Sequence, residues 1–152
     1  MHAINRDVLT YNISRNADLT YRLYDYGRIE PETGEERELH IDKVLENVLV
    51  PDTSEGFVWI EPYKKAGCEI TDYWDEPGLY SLSRIKTEDR GTYQLARFAF
   101  ITIVEGEGKV NDMTVSKGET ILVPAGVDSL EIAGTLDMFC LLYTSPSPRD
   151  CS

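Results

Sequence analysis

From residue 57 onward, short apolar runs alternate with turn-forming residues. Runs at 68–73, 79–86, 95–104, 108–115, 119–123, 128–133 and 136–142 are rich in Val, Ile, Leu, Phe and Tyr, and Gly, Pro and Asp separate them. That spacing predicts antiparallel strands closed into a sandwich or barrel. The first 50 residues read differently. VLTYNI (8–13) and TYRLYDYG (20–27), joined by SRNAD, predict a strand hairpin. A period of two puts Arg22, Tyr24 and Tyr26 on one face and Tyr21 and Leu23 on the other. A charged loop follows at 28–38, then a helix over 39–49. In that helix Ile41, Val44, Leu45 and Val48 fall at i, i+3, i+4 and i+7, and Pro51 ends it.

The pattern therefore predicts an all-β sandwich or barrel over 56–142 preceded by a hairpin and one short helix within 1–50. The tail, 143–152, carries TSPSPRDCS with no periodicity and is expected to be disordered. LLYTSPSPRD also looks like translated adapter sequence, so residues from about Leu141 on are left out of the functional reading.

Composition narrows the function classes. The 152 residues are 41% hydrophobic and 28% charged, enough for one ordinary domain with a real core. No apolar run approaches a membrane span, and MHAINRDVLT lacks the pattern of a secretory signal, so the cytoplasm is the expected location. The net charge of −12 argues against a nucleic-acid partner, which calls for a basic patch. An anion would need Arg and Lys gathered locally. Cys68, Cys140 and Cys151 form no CxxC pair, and reduced buried thiols are expected.

Gly118-Glu-Thr-Ile-Leu-Val-Pro124-Ala-Gly126-Val-Asp-Ser129 resembles the second cupin motif, G-x5-P-x-G-x2-H, up to its last position. Gly106 fits the final glycine of the first cupin motif. That alignment puts the ligand positions at Tyr93, Leu95, Ala99 and Ser129. None supplies the imidazole, carboxylate or thiolate that such a cation needs. The resemblance implies a cupin-type jelly-roll barrel over 56–142, and this carboxy-terminal cupin is expected to be metal-free.

The segment HAINRDVLTYNISRNADLTYRLYDYGR, followed by RELHIDKVLE, resembles class I mannose-6-phosphate isomerase of the short bacterial type. That family has a His-Ala-Ile segment, an S/N-x-D-x-T-Y-R-x-Y-D-x-G-R run and an L-H-x-D-K helix, and this chain matches them in order. The resemblance implies a phosphosugar substrate, mannose 6-phosphate, converted to fructose 6-phosphate through an enediol. It implies that His2 descends from a zinc ligand, and that Arg22 is the catalytic, substrate-binding arginine. Lys43 is a lesser substrate-binding candidate. A neutral imidazole suits zinc, and a guanidinium suits a phosphate or an enediolate. The family's other zinc ligands, a glutamate and at least one more histidine, lie upstream of the HA pair. The chain is thus expected to be a carboxy-terminal fragment, binding no zinc and inactive alone. The residue that shuttles the proton is not identified.

Plainer readings stand beside these. Without the resemblance, His2 is a frayed terminal residue and Arg22 a solvated strand arginine. His40 and Lys43, three apart on the helix, are read as structural, and Arg28 as neutralising the acidic loop. Trp59, Tyr63, Tyr73, Trp74 and Tyr80 suggest packing more than a carbohydrate platform. Gly106 and Gly108 in EGEG are read as a hairpin turn. The rival function is a stand-alone metal-free cupin that binds a sugar or a protein. A third reading restores activity by assembly with a separately encoded half.

Overall fold

A computed structural model describes residues 7–13, 20–51, 53 and 58–143. The chain divides into two compact units, Met1–Gly56 and Phe57–Ser152. The expectations for His2 and for the tail beyond residue 143 fall outside the described residues.

The second unit is all-β, as expected. Its strands are β1 (Tyr63–Lys65), β2 (Cys68–Glu76), β3 (Tyr80–Thr87), β4 (Arg90–Gln94), β5 (Ala99–Val110), β6 (Met113–Ser116), β7 (Thr120–Val123) and β8 (Ser129–Tyr143). They form one antiparallel sheet in the order β1-β2-β3-β8-β5-β6. The long strands β5 and β8 are its spine. β8 pairs β5 along one edge; on the other it pairs β3 through residues 136–143 and β4 through 129–133. β5 likewise pairs β7 near its start and β6 near its end. Each spine strand therefore serves two short strands in succession, which requires the sheet to bend.

Alternation fixes the core. Ala99, Ile101 and Ile103 point inward from β5, and Leu136, Met138 and Cys140 from β8. Ile85, Val110, Val115, Leu130 and Ile132 complete the cluster. Each fully buried Ile, Leu, Val or Met side chain among them contributes about 1.5–3 kcal/mol.

Several local expectations are corrected. EGEG is not a turn: β5 runs through it, and the chain turns at Asn111–Asp112, with Asn111 at φ 51°. The runs at 128–133 and 136–142 are one strand, continuous through Gly134. These glycines permit close approach rather than reversal. A Cβ on Gly106 would strike the carbonyl oxygen of Thr135, and one on Gly134 would come within 2.8 Å of the Glu107 carbonyl oxygen. Both have positive φ, which a side chain would strain. β1 and β4 were not anticipated, because YKK and RGTYQ are too polar to register as apolar runs.

In the first unit the helix α1 spans Ile41–Asn47. It stops early because Asn47 Nδ2 donates to the Lys43 carbonyl oxygen at 2.7 Å and Val48 is already extended. Of the expected stripe only Val44 is buried; Ile41 and Leu45 are exposed. Residues 8–13 and 20–27 form no regular strand. An isolated two-stranded hairpin is marginal without a third strand or a packed face, and Val8, Leu9, Leu23 and Tyr24 are exposed. The described pairing in this region is a single antiparallel bridge, Ile29 to Glu36, closing the charged loop.

Candidate functional site

Tyr21, Arg22, His40 and Lys43 are linked to one another within the first unit. The amide of His40 donates to the Arg22 carbonyl oxygen at 2.7 Å, and the Arg22 amide donates to His40 Nδ1 at 3.1 Å. His40 occupies the position before the helix, yet it does not cap it. Its ring faces Arg22 instead, and in its neutral form the ring proton then lies on Nε2. The Arg22 guanidinium is half-buried and donates to the Glu38 carbonyl oxygen at 3.4 Å. Lys43, one turn along the helix, lies over the Tyr21 ring at 5.8 Å, and that ring lies 6.1 Å from the His40 ring. His40 and Lys43 therefore both lie near the Tyr21 ring, while Arg22 meets His40 through its main chain.

The following turn is held by charge. Asp25 pairs with Arg37 at 3.2 Å and Arg28 at 3.7 Å, and Arg37 also reaches Glu30 at 3.3 Å. Asp25 Oδ2 is buried and accepts no hydrogen bond, so these ion pairs alone offset its desolvation. The neutralising role expected of Arg28 falls mainly to Arg37. Arg28 lies over the Tyr26 ring at 5.9 Å.

In the second unit the four positions that carry metal ligands in cupins hold other things. Leu95 and Ala99 belong to the apolar core. Ser129 is half-buried at the start of β8. Tyr93 donates to Ser83 Oγ at 3.1 Å; Ser83 donates to Asp72 Oδ1 at 2.6 Å; Tyr63 donates to Asp72 Oδ2 at 2.9 Å. Burial pushes the Tyr93 phenol up to about 12. Burial, then Asp72, raises Tyr63. This relay spans four strands and was missed from sequence, because no local pattern links residues 63, 72, 83 and 93.

Among the described residues no group of three His, Cys, Asp or Glu could hold a metal. Cys68 and Cys140 are buried in the apolar core, and burial raises both thiols, Cys140 to about 12. His40 Nδ1 is already occupied by Arg22. The described residues thus do not fit a zinc ion by themselves.

No protein-family model matches the chain. Individual relatives do. The mannose-6-phosphate isomerase ManA of Bacillus subtilis (strain 168) is 29% identical over 88% of the chain, and YvyI of the same organism is 30% identical over 95%. The mannose-6-phosphate isomerase of Streptococcus mutans is 22% identical over 91%. The chain spans less than half of these relatives, 43% to 45% of their lengths. The crystal structure of the Bacillus subtilis mannose 6-phosphate isomerase superposes on 83% of the chain with a TM-score of 0.67 and 26% identity.

Proposed function

We propose that this chain, which is homologous to the mannose-6-phosphate isomerases, is part of an enzyme that interconverts mannose 6-phosphate and fructose 6-phosphate. The observation that carries the reading is likeness in both sequence and fold over more than four-fifths of the chain. The reaction moves a proton between two adjacent sugar carbons through an enediol, so negative charge develops on oxygen.

In this reading the Arg22 guanidinium meets the phosphate or the enediolate oxygen. Its main chain is clamped to His40, so the side chain starts from a fixed base, which limits the ordering cost of binding. Lys43 supplies a second cation nearby. His2 is assigned as one zinc ligand, and the remaining ligands come from outside the described residues. The chain is a fragment, inactive alone and free of zinc, and it works in the cytoplasm. No described helix is long and apolar enough to cross a membrane.

The test is a coupled isomerase assay with zinc analysis, on this chain and on a version restored to the length of its relatives. The longer version is expected to hold zinc and isomerise, and the short chain to do neither. Arg22→Ala in the longer version should lower kcat by roughly 100-fold or more. A folded, zinc-loaded longer version without isomerase activity would overturn the assignment. The filled positions Leu95 and Ala99 favour a second reading for the β unit, a binding module with no chemistry of its own. Sugar binding by the short chain without turnover would support it.

A further inference from the structure

One of the two ties between His40 and Arg22 depends on a proton. His40 Nδ1 accepts from the Arg22 amide at 3.1 Å, and a ring nitrogen accepts only while it carries no proton. In a protonated ring both nitrogens are donors, so Nδ1–H would face the Arg22 N–H and this bond would be lost. Imidazole is the side chain whose charge changes closest to neutral pH. The other tie, from the His40 amide to the Arg22 carbonyl oxygen at 2.7 Å, does not involve the ring.

The surroundings offer the protonated ring a second partner. Glu38 Oε2 lies 3.8 Å from Nε2; the Glu38 side chain is 83% exposed and the His40 side chain only 19%. The Glu38 carboxylate favours the charged ring, whereas the Arg22 amide favours the neutral one. Lys43, over the Tyr21 ring at 5.8 Å, and the Arg22 guanidinium add positive charge that opposes protonation. Asp42, in the first turn of α1, adds negative charge that assists it. The stretch 38–40 also supplies both acceptors that Arg22 uses here, His40 Nδ1 for its amide and the Glu38 carbonyl oxygen for its guanidinium. A ring that turns from Arg22 toward Glu38 therefore acts on both supports of the arginine.

We propose that His40 is a proton-operated latch on Arg22: the neutral ring holds the main chain of the arginine in place, and the protonated ring releases it. His40 is thus a positioning residue. The latch stands on this geometry alone; its effect on turnover rests on the reading that Arg22 meets the isomerase substrate.

Nuclear magnetic resonance on the full chain tests the latch. The Arg22 amide and the His40 ring are followed from about pH 8 down to about pH 5. At the upper end the ring should carry its proton on Nε2. As the ring protonates, the Arg22 amide should shift and lose protection against exchange, with the same midpoint as the ring. His40→Asn puts Oδ1 where Nδ1 was, so the Arg22 amide should stay bonded and cease to titrate. His40→Gln puts its amide group where Nε2 was and offers Arg22 no acceptor, so Arg22 should look released at every pH. The wild-type titration decides the matter even where a variant unfolds the first unit. An Arg22 amide that does not follow the ring, a proton on Nδ1 at the upper end, or identical behaviour of folded Asn and Gln variants would overturn the latch. The kinetic arm uses a version restored to the length of the relatives, with zinc content measured at each pH. There His40→Gln should lower kcat roughly tenfold with little change in KM, and His40→Asn should recover most of that loss. Turnover indifferent to both variants would overturn the positioning role. A folded, zinc-loaded longer version without turnover would instead overturn the isomerase reading, and the spectra would still decide the latch.

Discussion

Arg22 and His40 are bound to each other twice: the His40 amide donates to the Arg22 carbonyl oxygen, and the Arg22 amide donates to Nδ1 of the His40 ring. A residue at a helix start thereby fixes a residue eighteen positions earlier. His40→Ala deletes the acceptor and leaves a part-buried amide unpaired. The expected cost is about 1 kcal/mol. Hydrogen exchange at the Arg22 amide should accelerate, while exchange in the core strands stays as it was. Unchanged exchange at Arg22 would show that the clamp is not formed in solution.

The glycines of the spine should be among the least replaceable residues. Gly106 has φ 88°, and a Cβ there would meet the Thr135 carbonyl oxygen, which is backbone and cannot rotate away. Gly106→Ala should cost several kcal/mol, more than the roughly 1 kcal/mol usual for a point substitution. Gly118 also has positive φ but nothing within 4 Å of its Cβ position. Gly118→Ala should therefore cost less. Thermal midpoints of the two variants decide the order, and equal losses would mean that φ alone governs both.

The Tyr93–Ser83–Asp72 relay should act as a unit. Ser83 is buried, and Ser83→Ala strands the Tyr93 hydroxyl without its acceptor. An unsatisfied buried polar group costs about 1–3 kcal/mol. Adding Tyr93→Phe removes that group and should recover part of the loss. Urea midpoints of both single variants and the double variant form the cycle. Strict additivity would mean that the contact carries no energy.

The sequence made the β unit legible because alternation over residues such as 99–103 is a local signal. It failed where the determinant is a partner strand. Gly106 and Gly134 look like turns along the chain, but their small size serves the contact between β5 and β8. Leu95 and Ala99, which motif spacing aligns with cupin ligand positions, lie in the buried apolar cluster. Arg22 stood out by motif alone. Its tie to His40 was hidden because 18 residues separate them.

Alkaline pH should destabilise the fold through its buried weak acids. An ordinary cysteine loses its proton near 9.0, whereas burial holds Cys140 protonated up to about 12. Tyr93 is likewise moved from 10.0 to about 12, chiefly by burial. The unfolded chain therefore releases these protons first. Stability is full below pH 9, falls as the unfolded groups ionise, and levels off only once the folded groups ionise near pH 12. For Cys140 the slope is at most about 1.4 kcal/mol per pH unit within that window. Urea midpoints should be flat from pH 7 to 8.5 and fall above pH 9. Cys140→Ala should lose stability at every pH through its cavity, yet fall less steeply above pH 9. With Cys151→Ser as background, the thiols of Cys68 and Cys140 should resist alkylation at pH 8 until urea unfolds the chain. Rapid alkylation of Cys140 in the folded protein, or parallel slopes for the two chains above pH 9, would show that this thiol is not held in the core.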